Sequence, residues 1–142
     1  MDFKDFISEN ADFFDSVIAD IEVCDRRLIL SIFEAFYEDT YENTRIIIES
    51  QEDDCFVFLL RKEYAINHKI RAKIKEIPFE RVKKMIKSGK SFEVADVKLS
   101  FNEGADIKFS INPCRNKKSQ DFLCLSLYEK TNVLIEKIDG KE

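Results

Sequence analysis

Apolar residues near the start of the chain fall at Phe3, Ile7, Phe14, Ile18 and Ile21, spaced by three, four or seven, with Ala11 filling the gap. That spacing is the stripe of an amphipathic helix, and Asp5, Asp12, Asp15 and Asp20 mark its solvated side. Asn10 is a candidate cap for a second segment, so one bent helix and two short ones both fit. From Arg27 to Tyr37 the signals conflict. Leu28, Ile29, Ile32, Phe33 and Phe36 suit a helix, the β-branched and aromatic content suits a buried strand, and the helix is the preferred reading.

Two strands follow, Thr44 to Ser50 and Cys55 to Arg61, joined as a hairpin by the polar turn Gln51 to Asp54. Ile66, Ile70, Ile74 and Ile77 then recur at four, four and three, which predicts a helix from Glu63 to Ile77 with a narrow apolar stripe. Pro78 opens a second helix whose buried side is Phe79, Val82, Met85 and Ile86, and Ser88-Gly89 stops it. Beyond it the pattern changes to period two: Val97, Leu99 and Phe101, then Ile107, Phe109 and Ile111, alternate with polar residues across the turn Asn102 to Ala105. Strands from Phe122 to Tyr128 and from Asn132 to Ile138 complete an antiparallel meander. The predicted fold class is therefore α+β: an N-terminal helical segment, a β-hairpin, two consecutive helices, and a three- to four-stranded antiparallel meander, in one domain over residues 1–142.

Composition is that of one folded domain. With 142 residues, 44% of them hydrophobic, the chain can bury a core of its own. No apolar run approaches the roughly 18 residues of a membrane span, so no membrane partner is expected. Met1 to Asp5 is acidic rather than a basic leader, and the expected location is the cytoplasm. Cys24, Cys55, Cys114 and Cys124 show no C-x-x-C spacing, which points to free thiols rather than a metal or disulfide framework.

Candidate chemistry is sparse. The chain has no phosphate-cradling loop, nucleophile elbow, zinc-helix or calcium-loop pattern, so no catalytic, cofactor-binding or metal-binding residue is predicted. The one histidine, His68, lies off the isoleucine stripe with no partner nearby in sequence.

Charge is unevenly distributed. Residues 1–54 hold 16 acidic and 4 basic residues, a balance of −12, whereas residues 55–142 carry +7. Two acidic clusters fall where loops are predicted: Glu38, Asp39 and Glu42, flanked by Tyr37 and Tyr41, and then Glu52, Asp53 and Asp54. Carboxylates steer a basic partner and tyrosines anchor it, so these eight residues form the predicted partner-binding set. Residues 61–90 are the counterweight, with 11 basic and 3 acidic residues, and Lys69/Lys73, Arg71/Lys75 and Lys83/Lys87/Lys90 form rows at helical spacing.

In size, acidity and lack of motifs the chain resembles the immunity proteins of bacterial toxin systems, a resemblance of character that carries over no site residue. It implies an inhibitor that neutralises a basic protein partner, such as a nuclease toxin domain. Nucleic-acid binding through basic helices at 61–90 ranks second, followed by a chaperone-like adaptor that offers a sheet edge or an apolar groove to an extended segment. The leading reading requires that the front carboxylates are not cancelled by the chain's own lysines.

Overall fold

A computed structural model describes residues 1–9, 13, 16–37, 40–51, 56–99, 104–112, 119–127 and 131–138; for residues 33–43 and 137–138 it describes backbone only where it describes them at all. In chain order the elements are helix α1 (Phe3–Glu9), strands β1 (Val17–Cys24), β2 (Arg27–Tyr37), β3 (Thr40–Glu49), β4 (Phe56–Ile66) and β5 (Lys69–Ile77), helix α2 (Phe79–Lys87), and strands β6 (Ser91–Leu99), β7 (Ala105–Asn112), β8 (Ser119–Leu127) and β9 (Asn132–Ile138). Among the described residues the nine strands form one sheet in the order β5-β4-β8-β7-β6-β1-β2-β3-β9. Every pairing in it is antiparallel.

The α+β expectation is overturned: the fold is a large antiparallel sheet with two short helices, not a helical half followed by a small meander. Helix α1 stops at Glu9, and Ile18 and Ile21 belong to β1. Their separation by three comes from a β-bulge. Ile18 pairs with Ile32 and Asp20 with Ser31, so Ala19 is an extra residue that lets Ile18 and Ile21 both enter the core. The ambiguous stretch from Arg27 is a strand, with Leu28, Leu30 and Ile32 buried in strict alternation.

The predicted helix from Glu63 to Ile77 is also a correction, because β4 and β5 are two arms of a tight hairpin. Ile66 pairs with Lys69, and the two residues between them, Asn67 and His68, have φ of 51° and 64°. Positive φ at both central positions is the turn whose twist matches flanking strands. Asn and His tolerate that region better than most residues.

Pairing order departs from the predicted meander as well. The segments read as a 44–61 hairpin do not pair: β3 lies between β2 and β9, and β4 lies between β5 and β8. Strand β9 does not follow β8 in space but closes the other side of the sheet. Long-range burial selected these neighbours over sequence adjacency.

The sheet has two parts joined at a narrow seam. Among the described residues strand β1 meets β6 through Val17↔Glu93 and Ile18↔Phe92, extended by a hydrogen bond from the Val94 amide to the Ser16 carbonyl. Both parts feed one hydrophobic cluster, with Ile18, Leu28 and Ile48 from one and Phe92, Phe109 and Leu125 from the other. Helix α1 adds Phe3 and Phe6, the latter edge-on to Phe13 at 5.3 Å, and α2 adds Val82. Phe79 packs against Phe58 at 5.7 Å where α2 leaves β5. Of the two sheet edges, β9 is met at its start by the N-terminus, whose Met1 carbonyl accepts from the Val133 amide at 2.7 Å. Along β5 no strand is paired on the outer side among the described residues.

Candidate partner-binding surfaces

The predicted acidic residues divide between two ends of β3. Strands β2 and β3 close through Ala35↔Glu42, Phe36↔Tyr41 and Tyr37↔Thr40. Tyr37, Tyr41 and Glu42 thus occupy backbone positions at the closing end of one hairpin, and Glu38 and Asp39, between those strands, lie outside the described residues. Glu52, Asp53 and Asp54 also lie outside them, beyond the other end of β3 at Glu49. From Glu42 to Glu49 the strand rises about 23 Å.

Other carboxylates of the front segment are partnered within the molecule. Lys83 of α2 reaches Asp20 at 3.3 Å and hydrogen-bonds Glu22, both on β1. The Glu22 hydrogen bond and the Asp20 charge hold the Lys83 ammonium above the usual lysine range, outweighing the opposing effect of burial. Arg27 pairs with Glu49 at 3.1 Å across β2 and β3. Lys83 thus offsets part of the −12 balance from outside the segment, whereas the Arg27–Glu49 pair is already counted within it.

The basic segment is rearranged relative to expectation. Lys69, Arg71, Lys73 and Lys75 do not form helical rows but alternate along β5 and share the face that Ile77 continues into the core. Lys62 lies directly opposite Lys73, and Tyr64 opposite Arg71. None of these five cations has an ion-pair partner among the described residues. On the opposite face of the strand, Ile70 and Ile74 are 76% and 56% exposed. Of the second predicted row, Lys83 is committed to β1, while Lys87 and Lys90 lie at the end of α2 and just after it.

A polar cluster that the sequence reading missed lies on the outward face of β4, β7 and β8. Glu63 accepts from Arg61 at 2.8 Å and from Lys108 at 3.1 Å, and Lys108 stands 4.0 Å from the centre of the Phe122 ring. Ser126 donates to Asp106 at 2.7 Å beside it. Arg61, Lys108, Asp106 and Ser126 border a shallow hollow of about 310 Å³ that also touches Ile74 and Cys124. Burial pushes the Cys124 thiol up despite the nearby Lys108 and Arg61 charges, which leaves it a protonated and poor nucleophile at neutral pH. Cys24 is exposed, and both are free thiols. His68 is a turn residue, not a helical one. Among the described residues no group of three or more His, Cys, Asp or Glu is arranged to hold a metal.

Burial disfavours the Glu63 charge, yet the hydrogen bonds and charges of Lys108 and Arg61 prevail and hold its carboxyl below the usual range. A lowered carboxyl pKa stabilises the fold above its unfolded value and loses that contribution as pH falls through the folded one. Chemical denaturation from pH 6 to about pH 3 should therefore cost the native chain more stability than Glu63→Gln, by a few tenths to about 1 kcal/mol for these part-exposed pairs. Equal losses in the two proteins would contradict the assignment.

Comparison with protein-family models, curated proteins and solved structures finds no match. Among the described residues no helix is long and apolar enough to cross a membrane.

Proposed function

We propose that the chain is a protein-binding module of the inhibitor or immunity type, acting in the cytoplasm by occupying a basic partner such as a nuclease toxin domain. The observation that carries this reading is the β2–β3 register, which brings Tyr37, Tyr41 and Glu42 to one hairpin end, with Glu38 and Asp39 falling between the two strands in sequence. Three acidic residues and two tyrosines in so short a segment combine long-range steering with apolar contact area at small entropic cost. A hairpin end also suits insertion into a concave, electropositive cleft, where it competes with an anionic substrate.

The test is calorimetric titration against purified nuclease toxin domains of basic charge at low and physiological salt, alongside Glu38→Lys/Asp39→Lys/Glu42→Lys. A cognate domain should bind with strong salt dependence and lose nuclease activity, and the triple reversal should weaken binding on the order of a hundredfold or more. Inhibition that survives the reversal would refute the hairpin as the binding element.

A further inference from the structure

Among the described residues strand β5 combines an unpaired edge, a row of cations without ion-pair partners and an apolar row on the opposite face. We propose that this edge docks an extended protein segment in which acidic and apolar residues alternate, added to the sheet as a further strand beside β5.

The backbone supplies the first part of the argument. An edge strand presents a line of amide and carbonyl groups that only another extended polypeptide satisfies in full. The opposite edge is already engaged at its start by Met1 and by an antiparallel bridge from Asp2 to Asn132. On β5 the whole run Lys69 to Glu76 is exposed.

Side chains then specify the occupant. Lys69, Arg71, Lys73 and Lys75 point to one face, with Lys62 directly across from Lys73. Like charges in direct cross-strand register cost stability, and a neighbouring strand with Asp or Glu on that face relieves the cost. Ile70 and Ile74 point to the other face and remain mostly in water. Apolar residues at the alternate positions of the incoming strand would cover them, and strand geometry requires that alternation.

A second copy of the chain is a poor occupant. Two-fold pairing of β5 with itself keeps equivalent faces together, so each lysine row would meet the other. Nucleic acid matches the charge but leaves the isoleucines uncovered and the strand edge unpaired. Tyr64 and the turn imidazole of His68 are the two aromatic rings on the β4–β5 hairpin between Arg61 and Glu76, which gives successive bases little to stack on. This docking edge is separate from the acidic hairpin of the proposed function, which lies towards the other side of the sheet.

The experiment uses the full chain and a fluorescent peptide of alternating glutamate and valine matched in length to β5. Two further probes are a peptide of the same composition with its glutamates in one block and a single-stranded oligothymidylate of equal charge. Anisotropy at low and physiological salt measures binding, and amide hydrogen exchange reports on β5. The alternating peptide should bind saturably, lose affinity on the order of tenfold with Lys73→Glu/Lys75→Glu and again with Ile70→Ser/Ile74→Ser, and slow exchange along β5. All four positions are exposed, so circular dichroism of each variant should match the native chain. Equal binding of the blocked peptide, tighter binding of the oligothymidylate, self-association through β5, or no saturable binding would each overturn the proposal.

Discussion

Phe109→Ala is expected to destabilise the protein by about 3–5 kcal/mol, the range for removing a fully buried aromatic ring that its surroundings refill only in part. Phe109 is 0% exposed, sits in the alternating strand β7, and has Val94 and Leu123 as its register partners. Its ring meets Phe92 edge-on at 6.4 Å, close to the seam where β6 joins β1. The cavity would therefore open where the two parts of the sheet share their core. Thermal denaturation should show a midpoint lowered by about 10–15 °C for a chain of this length. Ser110→Ala, one residue on and turned to the other face, should change stability by less than about 0.5 kcal/mol. Similar effects for the two variants would mean that β7 does not have the register described.

Lys83→Glu should cost about 1–2 kcal/mol. The substitution removes ion pairs with Asp20 and Glu22, each worth a fraction of a kcal/mol at this degree of exposure, and places a third carboxylate between them. It also removes an ammonium 6.0 Å from the Phe79 ring. Most of the loss should be recovered by combining it with Asp20→Asn and Glu22→Gln, because the charges then no longer oppose one another. Lys84→Glu, exposed on the same helix and unpaired among the described residues, is the control and should be nearly neutral. The Lys83 pKa is raised in the folded chain. Its contribution is thus fully present below the ordinary lysine value and fades only as pH climbs through the raised one. Urea denaturation at pH 7 and above pH 11 should show the gap between native and Lys83→Ala proteins narrowing at the higher pH. A gap that stays constant would remove the ion pairs as its source.

Both predictions rest on contacts that local pattern does not disclose, and the misread elements show why. The helix periodicity at the N-terminus was imitated by a bulge: an extra Ala19 shifts the strand's alternation so that Ile18 and Ile21 face the same way at a spacing of three. From Ile70 to Ile74 the spacing of four is twice the strand period and also near the helical 3.6, while Ile66 belongs to the other arm of the hairpin and pairs with Lys69. The deciding signals were there in the strict alternation of Lys69, Ile70, Arg71, Ala72, Lys73, Ile74 and Lys75, and in Asn67-His68 as a turn pair. From Val97 onwards the alternation was regular and the strands were legible, and Pro78 correctly opened a helix at Phe79.

The binding surfaces divide in the same way. The acidic bias of residues 1–54 and the lysine-rich counterweight are composition, visible before any fold is known. Which charges face which partner is not. Lys83 is 61 residues from Glu22 along the chain. Glu63 and Lys108, separated by 45, come together only because β7 and β4 both pair with β8.

The amino-acid order by itself determined the supply of apolar side chains, the imbalance of charge between the two ends, the turn residues, and the regular strands near the C-terminus. The tertiary structure alone decided strand neighbours, bulge positions, the two sheet edges, and which lysines were spent on internal carboxylates. The physical reason is range: propensity and turn chemistry act over a few residues, whereas strand pairing and charge pairing are settled by distant segments competing to bury the same core.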